Sequence, residues 1–171
     1  MKHRKLGYED HDQGRFKYPL CILADNIVLS KNIAALFRLC DAQGVEHLYL
    51  AGDNAAPINP LSSKVSRFSE RYVPHSTVTD AVQTVKQLKQ QGYTVISLEL
   101  TDHSTDIREF DFKPAEKICL ILGSEAKGVN DQLLAASDHC IHIPMLGMNS
   151  SMNVICAAAI AVYETTRHLS E

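Results

Sequence analysis

The sequence has no apolar run approaching the ~20 residues that a helix needs to cross a bilayer. Its opening, MKHRKLGYEDHDQGRFKY, is charged throughout and has no hydrophobic centre for a secretory leader, so a cytoplasmic protein is expected. Cys-x-x-Cys pairs are also missing. Cys21, Cys40, Cys119, Cys140 and Cys156 each stand among apolar neighbours, where a free thiol in a reducing compartment behaves as a small hydrophobe. His139 and His142 flank Cys140, but alternation along a strand sends them to opposite faces, and no metal site is expected. An excess of positive charge is lacking too. The 17 Lys and Arg against 20 Asp and Glu give a net charge of −3, which removes an overall basic footprint but leaves room for local patches. Lys64, Arg67 and Arg71 form one such cluster, and Lys2, Arg4 and Lys5 another, with a solvated face and a frayed terminus as the plain alternatives.

No repeat, low-complexity tract or second domain interrupts the 171 residues, and 45% apolar content is enough for one ordinary core. Residues 1–18 read as a polar arm and 19–171 as a single domain. PLCILADNIV reads as a buried strand. Ser30 then stands where a helix cap is wanted, Ile33, Leu36, Phe37 and Cys40 share a helical face, and Gly44 is a stop. HLYLAG is a second strand, and GDNAAPINPLSS a loop. Thr79 opens a helix with Ala81, Val82, Val85 and Leu88 inward and Gly92 at its close. Strands at YTVISLEL, KICLILG and HCIHIP follow, with a short helix over 130–137 and a last helix from Ser151 to about Leu169. The first half of that last helix, MNVICAAAIAVY, is apolar nearly all round and is expected to be covered on every side, by the core or by a second subunit. This alternation predicts an α/β domain with a mainly parallel sheet and helices on both faces. Ligands of such sheets sit beyond the carboxyl ends of the strands, here the loops after Leu122, after Ile143 and around Leu98.

Three segments carry chemistry-bearing residues. In NIAALFRLCDAQGV, Asn32 and Arg38 lie six apart, about 120° around a helix axis at about 100° per residue. Arg38 interrupts an apolar helix and needs an anionic partner if buried, a salt bridge being the plain reading. In LGSEAKGV, Gly123 permits close approach of a ligand to the backbone and Gly128 a positive φ, while Glu125 argues against a phosphate loop. In IPMLGMNSSMNV, Pro144 and Gly147 shape a loop, Asn149, Ser150 or Ser151 can cap the final helix, and Met145 and Met148 offer soft apolar surface.

In this order the three segments resemble the SPOUT methyltransferases, specifically the group also called SpoU or TrmH. The matching residues are Asn32-x5-Arg38 with Asp41-Ala42-Gln43-Gly44-Val45, then Gly123, Glu125, Gly128 and Val129, then Ile143-Pro144-Met145 and Ser151-Met152-Asn153-Val154. Met152 stands where the family has leucine, a volume-conserving change. The resemblance implies a carboxyl-terminal trefoil knot, S-adenosylmethionine bent into the knotted loops, and a homodimer in which both subunits contribute to each site. It implies a cofactor pocket from Leu98, Glu99, Leu122, Gly123, Ile143, Met145, Ser151 and Met152. It also implies methyl transfer to a ribose 2′-hydroxyl of tRNA or rRNA, with Arg38 as base or positioning group. Asn32, Glu125, Ser151 and Asn153 would fix Arg38 and the hydroxyl, and Lys64, Arg67 and Arg71 would contact RNA. A non-catalytic cofactor- or RNA-binding paralogue of the same fold is the alternative, and a base methyltransferase of the wider superfamily is a further one.

Overall fold

Alternation along the central strands decides what lies on each side of the sheet. The computed structural model describes residues 3–5, 16–52, 64–114 and 116–169. Within them, β1 (Tyr18–Asp25), β2 (Val45–Ala51), β3 (His75–Val78), β4 (Tyr93–Leu98), β5 (Thr105–Asp106), β6 (Lys117–Leu122) and β7 (His139–His142) pair as one sheet. Its order is β3-β2-β1-β6-β4-β7-β5, and every recorded pairing is parallel. The helices are α1 (Ser30–Ala42), α2 (Ala81–Gln90), α3 (Asp131–Ala136) and α4 (Val154–Leu169). Leu20, Ile22 and Ala24 of β1 point into a cluster with Ile33, Leu36 and Phe37 of α1 and Ala158, Ala161 and Val162 of α4. Cys21 and Leu23 point the other way, onto Val85 and Leu88 of α2 and Leu133 of α3. Both faces of β1 and β6 are therefore apolar, as a parallel sheet covered on two sides requires.

Two strands escape the sequence reading. β5 has two residues, and β3 (HSTV) is a short edge strand without an apolar run. β1 ends at Asp25, short of Val28, because Asn26 takes a left-handed φ of 54° and turns the chain. The helix starts also differ. Leu29, not Ser30, occupies the cap position of α1 and supplies no side-chain bond. Asp80, not Thr79, caps α2 by accepting from the Gln83 amide at 2.8 Å. Asn153, beyond the expected Asn149–Ser151 group, caps α4 by accepting from the amides of Ile155 and Cys156 at 2.9 and 3.4 Å. Of the arm at 1–18, residues 1–2 and 6–15 lie outside the described residues, as does 53–63 of the expected loop; Arg4 and Lys5 are exposed.

Within the single chain α4 is covered on one side only. Ala158, Ala161 and Val162 are fully buried, whereas Ile160 is 44% and Tyr163 61% exposed, with Cys156 also exposed on that outward stripe. Small and aliphatic residues meet the sheet, and the larger apolar ones stand outside.

The α2 cap offers a direct check on the local reading. Asp80→Ala is expected to lower stability by about 1 kcal/mol, because the Gln83 amide loses its acceptor. Denaturant unfolding would show this as a shifted midpoint with unchanged slope.

Candidate functional site

β4, β6 and β7 stop at one level, with Ser97 opposite Ile121 and Leu98 opposite Ile141. Beyond their carboxyl ends lies a cleft of about 470 Å³. Its wall takes Leu98 and Glu99 from the end of β4, Leu122 and Gly123 from β6, Ile143 and Met145 from the chain after β7, and Ser151 and Met152 from the approach to α4. All eight residues named as cofactor contacts thus share one cavity, of a size ordinary for a small-molecule site.

A chain of hydrogen bonds along the cleft edge ties the three segments together. The Glu125 carboxylate accepts from Asn32 Nδ2 at 2.8 Å and from the amides of Val28 and Leu29 at 3.4 Å each. Those amides precede α1, whose cap residue offers no side-chain acceptor, so a carboxylate from a distant loop sits at the positive end of the helix. Asn153 Nδ2 donates to Asn32 Oδ1 at 3.4 Å, while Asn153 Oδ1 caps α4. The orientation of both amides is fixed from two ends. An ionised carboxylate only accepts and backbone amides only donate, so Asn32 turns its nitrogen to Glu125 and Asn153 its oxygen to α4. Burial raises the Glu125 carboxyl, but the bonds from Asn32 and the backbone outweigh it and hold the group below its usual range.

The glycines of LGSEAKGV shape the loop itself, and Gly128 takes the positive φ expected of it. Ser124 and Gly128 exchange backbone hydrogen bonds of 3.0 and 2.9 Å, closing a tight loop that carries Glu125 at its turn. A Cβ on Gly123 would lie 2.0 Å from the Gly128 carbonyl carbon and 2.1 Å from the Val129 nitrogen. The close approach at Gly123 is therefore to the loop's own backbone, not only to a ligand. Gly128 takes φ +66°, and a Cβ there would meet Glu99 Oε2 at 2.0 Å. That carboxylate accepts from the Val129 and Leu100 amides at 2.9 Å each, so Glu99 holds the loop while lining the cleft.

Of the five residues expected to act in chemistry, Asn32, Glu125, Ser151 and Asn153 line the cleft and Arg38 does not. Arg38 is exposed, six residues and about 9 Å along α1 from Asn32. Among the described residues it has no hydrogen bond or ion pair, so the salt-bridge reading does not hold. Lys64, Arg67 and Arg71 are also exposed and away from the cleft, on a segment tied to the end of α1 by Ser69 Oγ donating to Asp41 Oδ2 at 3.1 Å. Two titratable lining residues escaped the sequence reading. His142, considered only for metal binding, is held through Nδ1 by Ser104 Oγ at 3.0 Å, and Lys127 follows Glu125 in the loop. Only the alternation of β7 could have pointed to His142.

The model of the SpoU rRNA Methylase family matches residues 19–163, which contain all three segments. The chain belongs to that family. A tRNA (guanosine(18)-2′-O)-methyltransferase from Aquifex aeolicus is 34% identical over 155 residues, covering 89% of this chain and 71% of the relative. The crystal structure of the A. aeolicus TrmH/SpoU tRNA modifying enzyme superposes with a TM-score of 0.82 at 30% identity, over 91% of this chain and 78% of that one. The SpoU methyltransferase AviRb from Streptomyces viridochromogenes, in complex with the cofactor AdoMet, gives a TM-score of 0.78 at 26% identity, over 86% and 59% of the two chains. The seven-stranded parallel sheet is thus the SpoU fold, and the bonded cluster lies at its strand ends.

The depressed carboxyl of Glu125 sets a pH signature for this SpoU protein. Ionised Glu125 stabilises the fold above the unfolded-state value of about 4.3, and that contribution disappears as pH falls through the lower folded value. Glu125→Gln is therefore expected to melt below the wild type at neutral pH, with the gap closing below about pH 4. Thermal melts of both proteins across that range test it, and a gap independent of pH would remove the carboxylate charge as its source.

Proposed function

We propose that this protein transfers a methyl group from S-adenosylmethionine to a ribose 2′-hydroxyl of RNA, either tRNA or rRNA, in the cytoplasm. The observation that carries the reading is the bonded line Glu125–Asn32–Asn153, which joins three separately matched segments at the edge of one cleft. The donor fits the residues present. Leu98, Leu122, Ile143, Met145 and Met152 offer apolar walls, and the exposed strand and loop ends offer backbone polar groups. When bound, S-adenosylmethionine supplies an activated methyl on a sulfonium.

The chain's own residues do the rest. Glu125 and Asn153 hold Asn32 in one orientation, and Ser151 faces the same space as a hydroxyl donor and acceptor. Arg38 is an exposed cation of α1 with no hydrogen bond or ion pair among the described residues. Its guanidinium binds an RNA phosphate and the oxygen on which charge builds as the hydroxyl proton leaves, a positioning and electrostatic role. Because Arg38 lies outside its own chain's cleft, the site is completed by a second copy, in a homodimer whose subunits pair through the α1–α4 face. The outward stripe Cys156, Ile160 and Tyr163 supports this, whereas Ala158 and Val162 are buried in the core of one chain. Ile155 and Ala159 are half-buried and can flank it.

A trefoil knot in the carboxyl-terminal third belongs to the same proposal. β7 lies between β4 and β5, which residues 99–104 join directly, so the chain leaving β7 has to pass that arch. Residues 19–171 are read as one SPOUT domain preceded by an arm at 1–18.

Arg38 is where the reading is most exposed to test. Arg38→Ala is expected to reduce methyl transfer to RNA by at least about 10²-fold, the scale of one lost charge-stabilising donor, while S-adenosylmethionine affinity stays at the wild-type value. Arg38→Lys should be nearly as poor, since lysine keeps the charge without the planar fork. Single-turnover transfer of labelled methyl groups, followed by mapping of 2′-O-methyls, measures both, and wild-type rates for Arg38→Ala would remove the assignment.

A further inference from the structure

The segment Lys64–Tyr72 holds two adjacent non-glycine residues in the left-handed region, Arg67 at φ 51° and Phe68 at φ 64°. Such conformations persist only where the surroundings fix them. Here the turn is tightly built. The buried Ser66 hydroxyl donates to Glu70 Oε2 at 2.6 Å and accepts from the Phe68 amide at 3.2 Å, and the Arg71 amide donates to the Phe68 carbonyl at 3.0 Å. Ser69, also buried, anchors the turn to α1 through Asp41. What this framework presents is two aromatic rings in solvent. Phe68 is 48% and Tyr72 65% exposed, and the Arg71 guanidinium lies 4.8 Å from the Phe68 ring centroid. Lys64 and Arg67 stand exposed beside them.

A ring held outside the core by a strained turn, backed by a guanidinium and flanked by cations, has the make-up of a stacking platform for nucleic-acid bases. Its position fits that use. Asp41 lies three residues beyond Arg38, on the same side of α1, so the turn sits next to the unpaired guanidinium. The charge favours RNA over a second copy of this chain. Residues 64–72 carry three cations and one carboxylate, whereas the whole chain has a net charge of −3. Resting on the RNA-methyltransferase reading, we propose that Phe68 and Tyr72 stack on unpaired bases flanking the target nucleotide, while Lys64, Arg67 and Arg71 hold the adjoining phosphates.

The test uses the full chain with a fluorescent single-stranded oligouridylate, the same length of RNA as a duplex, and unfractionated tRNA. Phe68→Leu keeps apolar bulk but removes the π face. It is expected to weaken single-strand binding about 5- to 150-fold, the range for one lost base stack, with little change for the duplex. Phe68→Trp should restore binding, and Phe68→Leu should leave the dependence of affinity on salt unchanged, whereas Arg67→Ala flattens it. Melting temperature and S-adenosylmethionine affinity report whether each variant is folded, and Tyr72→Leu repeats the test if Phe68→Leu melts early. Wild-type affinity in both folded leucine variants overturns the proposal, as does equal weakening for duplex and single strand, or a change of oligomeric state with RNA binding intact. If the wild type neither binds nor methylates any RNA, the functional reading fails as well. If it methylates RNA and both leucine variants match it, only the stacking proposal fails.

Discussion

The structure turns on a carboxylate that can only accept. Glu125 lies at the start of α1, where the backbone has amides without partners and the helix dipole favours negative charge. From there its demand propagates. It orients Asn32, which orients Asn153, whose oxygen is claimed by the first amides of α4. Three segments distant in the chain are thereby fixed to one another by groups that each have a single workable orientation. Remove the carboxylate and the two amides lose the reason for facing as they do.

That arrangement depends in turn on a loop that tolerates no side chain at two points. Gly123 and Gly128 let residues 123–129 close so tightly that Glu125 is delivered at its turn and Glu99 can clamp its exit. The cleft is the space left between this loop, the end of β4 and the approach to α4. Part of its apolar wall, Leu98, Leu122 and Ile143, comes from strand ends packed with the core, so rigidity of the sheet is passed to that side of the site. Arg38 is the exception, standing on the same helix as Asn32 but beyond the cleft.

Much of this was legible in the sequence because the signals were local. The apolar strands β1, β4 and β6 announce themselves, and of the eight expected cofactor contacts that line the cleft, six lie in the motif segments and Leu98 and Glu99 at the end of a readable strand. What was not legible was long-range or too short to leave a pattern. The cap of α1 comes from a residue 96 positions away, so Ser30 looked like the cap by default. β3 and β5 are edge strands whose pairing is decided by their neighbours, not by their own composition. The outward stripe of α4 could not be separated from its buried face because both are apolar. The additional packing of Gly123 against Gly128 and Val129 was hidden for a related reason, since closeness of two backbone segments is invisible until both are placed.

The claim that matters most is that the Glu125–Asn32–Asn153 line shapes a cleft for the methyl donor. Equilibrium dialysis of labelled S-adenosylmethionine against the wild type and Asn32→Ala, without RNA, addresses it directly. The expected result is saturable binding of one ligand per chain by the wild type and clearly weaker binding by a folded Asn32→Ala, because the loop and α4 lose their common partner. Absence of saturable binding to the wild type at about millimolar ligand, the weak end of the affinity scale, or equal affinity in the two proteins, would contradict it.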